Sequence, residues 1–544
     1  MGQSPGQFSP LKASPAKVSP SKVSPSKISP SKDSSFQTSP SQNAAAAPLT
    51  DGLLRGWLRC RRRAWLDRHG PGEQRRWNAH RALALQDQLL RFQQVLREPP
   101  GRGLEACQAG APAVMGLRLH GVTVEGLPLE AHPPLLQRVN TPSRWGVHGY
   151  RPVLARLGRR TTREHRLLLA LWARLLAREQ AAPVPQALLL ASQGDHLVQE
   201  RLTLTSALEG QLDDSLSRLQ ADLRRSQPPP LTNDRKKCTL CGWRLLCDQE
   251  AAREGHLSEV SGVGSKRREL LVQAGVHSLA DLAGADPDQL AQALEIHGDQ
   301  HRDIVPQLVA QARVQARGQP ERLLEGDGLP ELREAPGLLI YDIESDPDAA
   351  DNFLHGFLIL PRPAHGAWPA APGEASFPAR YRPLLSLAEH GEGRLWQRLA
   401  ALLARHPDWP VLHYGETEKI QLLRLAERQG VSEVERAALQ RRLVDVHLRV
   451  RSHWLLPVNS YGLKAVASWL GFRWSQPGVD GARCLLWWRL WRQWQGARQP
   501  DGAPRGRQEL ARIFRYNHDD GLATWAVAHW LLEASEGTAP PTEP

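Results

Sequence analysis

Apolar residues recur at helical spacing through residues 53–96, a stretch heavily decorated with arginine, and a helix-rich segment is expected there. Between 113 and 157 the pattern changes to short β-type runs over 122–124, 135–139 and 150–157. Helical spacing returns over 163–179, where Leu167, Leu168, Leu171 and Trp172 contribute to the apolar stripe of an amphipathic helix. Pro228, Pro229 and Pro230 mark a hinge. A small helical unit is expected over 256–317, followed by a linker over 318–336. The apolar run from Gly337 to Tyr341 then reads as a strand, and an apolar helix opens near 516 and runs through Leu532.

Ser-Pro pairs repeat every five residues from Ser9 through Ser14, Ser19, Ser24 and Ser29, each proline followed two positions later by lysine. Proline at this density forbids regular structure, and there is almost nothing apolar to bury, so residues 1–50 are expected to be a disordered tail. It reads either as a solvated low-complexity extension or as a phosphate-binding arm. At 544 residues the chain exceeds one ordinary core. The expected division is the tail 1–50, an α/β domain over 51–250, an all-α unit over 255–317, a linker over 318–335, a second α/β domain over 336–536 and a short disordered tail over 537–544.

Composition adds a partner class. Lys and Arg number 69 against 57 Asp and Glu, a net charge of +12, which favours a polyanion without proving one. No apolar run approaches the ~20 residues of a membrane span, and no secretory signal is visible, so a soluble cytoplasmic protein is expected. Six cysteines make no disulfide scaffold, but three of them cluster, as metal ligands do.

That cluster is Cys238-x2-Cys241-x5-Cys247, with Cys60 far upstream in Trp57-Leu-Arg-Cys60-Arg-Arg-Arg. One distant cysteine plus this triplet resembles the iron–sulfur staple of RecB-like nucleases. The resemblance implies a [4Fe-4S] cluster held by four thiolates that tie the ends of the domain together, with Zn²⁺ as the alternative. Residues 51–250 are similar to the first domain of the bacterial RecB-like putative nuclease family, with its restriction-endonuclease-type α/β fold. Active members of the wider superfamily place an Asp on one strand and an acid-x-Lys on the next. Here Pro134 stands at the first position and Leu154 and Arg156 at the second. The resemblance therefore implies a degenerate nuclease domain kept for structure or DNA binding, unless Glu125 or Glu130 acts as a displaced acid.

Ser258-Glu-Val-Ser-Gly262-Val-Gly264-Ser-Lys266-Arg267, followed by Ala274-Gly275-Val276 and Leu279-Ala-Asp-Leu282, resembles a helix-hairpin-helix. In that motif Gly262 and Gly264 let the backbone approach a phosphate, and Lys266 and Arg267 add charge. The alternative is a helical linker between two domains.

In Leu338-Leu-Ile-Tyr-Asp342-Ile-Glu344, strand alternation puts both acids on one face, where they can share a metal. Tyr516-x3-Asp520 sits at helical i, i+4 spacing, which puts both side chains on one face and turns Asp519 elsewhere. The pair resembles the last motif of DEDD exonucleases of the ribonuclease-H-like fold, with Tyr516 positioning water. Between them, Glu418 is the expected further carboxylate and Glu416 the second choice. The segment from Leu443-Val-Asp445 to Tyr461-Gly-Leu-Lys464 resembles the YprB-like domain of the same family, which implies a phosphate contact for Lys464 and a structural role for Asp445. The implied chemistry is two-metal phosphodiester hydrolysis with Mg²⁺ or Mn²⁺, on DNA more than RNA. No Walker A motif is present, so any helicase would be a partner. The rival reading is a non-catalytic DNA-binding scaffold made of decayed nuclease folds.

Overall fold

The computed structural model describes residues 47–156, 160–193, 196–232, 234–346, 351–364, 366–370, 377–495 and 506–535. The terminal tails therefore lie outside the described residues, except for 47–50. Leu49 and Thr50, which the sequence pattern assigns to the tail, pair in parallel with Leu129 and Glu130, and Leu49 is buried. Thr50 then caps the helix Asp51–Arg59 by accepting a hydrogen bond from the Leu53 amide.

The first α/β region is built on a six-stranded sheet in the order Gly101–Arg102, Ala113–Met115, Leu135–Val139, Gly149–Arg156, Gln186–Gln193, His196–Thr203. The expected strand at 122–124 falls earlier, at Leu119–Val122, because the chain turns at Gly126 and leaves Val124 in solvent. Helix Arg163–Glu179 begins at a capping box of Thr162 and His165. Every residue from Leu167 to Ala173 is buried, so the predicted amphipathic stripe is a helix covered nearly all round. It is packed between the sheet and the helices Asp51–Arg59 and Ser206–Leu223.

The all-α unit folds around its own core of Leu257, Leu270, Leu271, Leu282, Leu290 and Leu308. Gly262 adopts φ 91°, which the hairpin turn requires and other residues resist. Its last helix, Val305–Arg317, ends at Gly318 in the left-handed conformation. The expected linker after it is not a free tether. Glu321–Arg322 pairs antiparallel with Trp454–Leu455, and Leu329 and Leu332 are buried in the core of the last domain.

That domain, whose elements are numbered here from its own start, has a five-stranded sheet. Its strands are β1 (Gly337–Asp346), β2 (Asp351–Pro361), β3 (Arg380–Leu385), β4 (Val411–His413) and β5 (Leu443–Asp445), ordered β3-β2-β1-β4-β5. The first three strands are antiparallel, and β1, β4 and β5 run parallel. Leu339 and Tyr341 point to the face covered by helices α1 (Glu392–Ala404) and α2 (Glu416–Arg428). Leu338 and Ile340 point to the opposite face, which α5 (Leu463–Trp469) and α7 (Arg507–Ser535) cover, after α3 (Glu433–Arg442) and α4 (Val446–His453). Helix α6 (Gly481–Gln493) lies against α7 and β1. Gly521 lets α7 press onto the sheet, since a Cβ there would stand 2.7 Å from Leu358.

The first region is bolted to this domain by Arg489 on α6. Its Nε and Nη2 donate to both oxygens of Asp346 at 3.0 and 2.9 Å, and its Nη1 donates to Asp87 of helix Ala79–Val95 at 2.6 Å. No described helix is long and apolar enough to cross a membrane.

Candidate functional site

Two elements far apart in sequence make the site. The alternation that sends Leu338 and Ile340 toward α7 continues to Asp342 and Glu344, and α7 brings Asp520 to meet them. One carboxylate oxygen from each of the three lies within 4.8 Å of the others. The expected helix start near 516 is wrong by about two turns. The helix begins at Arg507, so Tyr516 and Asp520 sit in its buried middle rather than in its first turn. Asp520 is thus held by surrounding packing rather than at a fraying end.

Three side chains fix the acids. Asn517 donates from Nδ2 to Asp342 Oδ2 at 2.6 Å and accepts the Tyr381 hydroxyl at 2.8 Å. Trp474 Nε1 donates to Asp520 Oδ1 at 2.6 Å. The Tyr516 hydroxyl also hydrogen-bonds to Asp520. Asp519 points away, as expected, accepting the Ser475 amide and hydroxyl at 2.9 and 2.7 Å. The pattern search missed Asn517, Trp474 and Tyr381. Asn517 had a signal, since it lies one residue from a motif tyrosine on a helix facing the acids, but a lone Trp474 or Tyr381 had none.

Electrostatics sets this group apart from surface acids. Burial pushes Asp342 and Glu344 well above the carboxylate range, and the neighbouring charge of Asp520 pushes further. Asp520 rises to about 6, again through burial, which the bond from Trp474 and the charge of Lys464 oppose. Lys464 is exposed beside the acids. Its Nζ donates to the Val479 carbonyl at 2.5 Å and stands 4.8 Å from the centre of the Tyr516 ring.

Glu418 lies beside the three acids without joining their 4.8 Å group. Burial raises it to about 7, its charge reaches Asp342 and Glu344, and its Oε2 is buried without a partner. Glu416 is exposed, and its charge acts on His447. Asp445 has the structural part expected of it, accepting the Gly415 and Leu448 amides at 3.0 and 3.2 Å and capping α4. Crowded, desolvated oxygens with one left unsatisfied suit a hard divalent cation, which supplies the missing positive charge.

The four cysteines come together elsewhere. Cys60, between two N-terminal helices, meets Cys238, Cys241 and Cys247 in one pocket with Arg62 and Arg235. Burial raises the Cys238 and Cys247 thiols to about 11, and nearby Arg235 and Arg62 pull them down. Cys107 and Cys484 are buried apart from this group. In the hairpin, Gly264 caps helix Ser265–Gln273, Lys266 is exposed, and Arg267 donates back to the Gly262 carbonyl at 2.8 Å.

Residues 339–532 match the family model of the RNase_H superfamily, and residues 254–296 match that of the SAM-like helix-hairpin-helix tandem. No curated protein matches the chain. An RNase H-like domain with a buried carboxylate cluster, joined to a helix-hairpin-helix tandem, is the make-up of a nuclease-like protein that binds nucleic acid.

Proposed function

We propose that the chain is a metal-dependent nuclease that hydrolyses phosphodiester bonds in its C-terminal domain, as an exonuclease preferring DNA and serving DNA repair or processing. The observation that carries this reading is the convergence of Asp342, Glu344 and Asp520 on one point of an RNase H-like sheet. These residues, with Glu418 as the fourth acid, would hold Mg²⁺ or Mn²⁺. Bound there, divalent cations supply the charge that activates a water and steadies the leaving oxygen. The protein's own part is positional. Asn517 and Trp474 hold Asp342 and Asp520 in fixed rotamers, Tyr516 orients the attacking water from beside Asp520, and Lys464 offsets the negative charge of the acids.

The first α/β region fits a RecB-like nuclease domain that has lost its chemistry. Pro134 is half-buried, Leu154 is buried, and Glu130 is spent on Arg118 and His132 at 3.6 and 3.3 Å. Its four cysteines are read as a [4Fe-4S] site. The gathering of all four in one pocket beside Arg62 and Arg235 supports a shared metal site, with Zn²⁺ as the alternative occupant. The YprB-like relationship, the cytoplasmic setting and a helicase partner belong to the same reading.

The test compares wild type with Asp342→Ala and Asp520→Ala on single- and double-stranded DNA and RNA in Mn²⁺. Cleavage by wild type alone supports the enzyme. Equal inertness of all three on every substrate overturns it in favour of a binding scaffold.

A further inference from the structure

The seam between the helix-hairpin-helix unit and the RNase H-like domain encloses a cavity of about 440 Å³. That lies within the ~300–1,000 Å³ typical of small-ligand sites. Gly262 and Arg267 of the hairpin form one wall, and His447, Arg451 and Tyr461 form the other. No lining residue is acidic. Arg267 Nε is buried without a partner. The exposed Arg451 guanidinium stands 5.9 Å from the centre of the Tyr461 ring.

The walls are fixed against each other, so the cavity is preformed. Gln311 Nε2 donates to the Leu456 carbonyl at 2.8 Å, and the Tyr461 hydroxyl donates to Gln311 Oε1 at 3.0 Å. Asn459 Nδ2 donates to Glu259 Oε2 at 2.9 Å, a third tie across the seam. One helix links the cavity to the neighbourhood of the carboxylates. Helix α4, which carries His447 and Arg451, starts at Asp445, and the charge of Asp445 acts on both Glu418 and His447.

We propose that this cavity is a binding site for a nucleotide phosphate. Arg267 and Arg451, one from each domain, contact its oxygens, with His447 beside them and Tyr461 as the rigid wall. The phosphate belongs either to a nucleic-acid strand, which rests on the function proposed above, or to a free nucleotide. Two rotatable guanidinium groups and an imidazole around an acid-free void have the charge and donor geometry for that anion. The site differs from a hairpin that touches DNA on an open face, because two of its three donors come from the nuclease domain.

The test uses the full chain in EDTA, with two probes: a labelled single-stranded oligonucleotide read by fluorescence anisotropy, and AMP read by calorimetry. Arg451→Glu is compared with Arg398→Glu, an exposed charge reversal on α1 across the sheet. Arg451→Glu is expected to weaken its ligand about tenfold and to lower the log–log salt slope by about one, with the melting temperature unchanged. Arg398→Glu should change binding by less than about threefold. An effect on the oligonucleotide alone assigns the pocket to a strand, and an effect on AMP alone assigns it to a free nucleotide. If Arg451→Glu behaves like Arg398→Glu with both probes, the pocket is not a phosphate site. A chain that cleaves DNA yet ignores Arg451 loses the pocket and keeps the nuclease. One that binds through Arg451 but never cleaves does the reverse.

Discussion

Gly356 on β2 leaves no room for a side chain against Asn517 on α7. Gly356 is the register partner of Asp342, and a Cβ there would stand 1.6 Å from Asn517 Oδ1 and 2.7 Å from its Cγ. Gly356→Ala must therefore evict Asn517. Overpacking of this kind costs ~1–3 kcal/mol. The eviction also leaves Asp342 Oδ2 and the Tyr381 hydroxyl short of a partner, for about 1–3 kcal/mol more. A total of roughly 2–6 kcal/mol is a large part of the ~5–15 kcal/mol that holds a domain together. Hydrogen exchange at the amides of β1 reads the loss within this domain, undisturbed by unfolding elsewhere. Asn517→Ala alone should cost about 1–3 kcal/mol through the same unpaired groups. The informative protein is the double variant, because the three atoms nearest the alanine Cβ all belong to the Asn517 amide. It should match Asn517→Ala alone, a mutual relief equal to the whole cost of Gly356→Ala, roughly 2–6 kcal/mol. Costs that add to within ~0.5 kcal/mol would show that the two residues do not contend for one space, and the positioning role of Asn517 would fall with them.

Other outcomes follow from the same geometry. Because burial lifts Asp520 to about 6 and Glu418 to about 7, the folded state without metal holds more protons than the unfolded chain between pH ~4 and 7. The sign is thus opposite to that of a salt-bridged acid. Metal-free stability should fall as pH rises across that window, and Mn²⁺ should abolish the fall; a melting temperature that rises with pH in EDTA contradicts the raised values. Millimolar Mn²⁺ should raise the melting temperature of wild type but not of Asp342→Asn or Asp520→Asn, as measured by scanning fluorimetry. Arg489→Ala removes the guanidinium shared by Asp346 and Asp87, at 11% and 17% side-chain exposure, and should cost about 3 kcal/mol in denaturant unfolding, where a cost under ~1 kcal/mol would deny the bolt between the regions. Anaerobically purified protein should absorb broadly in the visible and carry iron, and Cys247→Ser should lose both, whereas zinc alone on metal analysis would exclude the cluster.

The parts of this molecule legible in its sequence were those in which one local period carries the whole signal. Asp342 and Glu344 share a face because β alternation requires it, and Tyr516 and Asp520 share one because a helix does. Helix Arg163–Glu179 was readable in extent, but its full burial was not, since that depends on the sheet and two helices arriving from elsewhere. The start of α7 at Arg507 was missed because its first two turns are polar and arginine-rich, and only the later turns are apolar. The strand β2 was missed for the opposite reason. Its central residues are buried on both faces, so its run from Phe353 to Leu358 has no alternation to detect. Trp474 and Tyr381 belong to the site only through long-range packing, which no spacing rule encodes.

The order of assembly has a consequence for how the protein comes into being. The first acids lie at Asp342 and Glu344, and the residues that complete and hold their cluster lie on α7, a helix of 29 residues and about 43 Å. A nascent chain can form the first α/β region, the hairpin unit and most of the sheet while its acids still lack Asn517 and Asp520. The carboxylate cluster is incomplete until Arg507–Ser535 has left the ribosome and docked. On the function proposed above, synthesis itself would then act as a safeguard, keeping a half-made chain harmless to the nucleic acids around it.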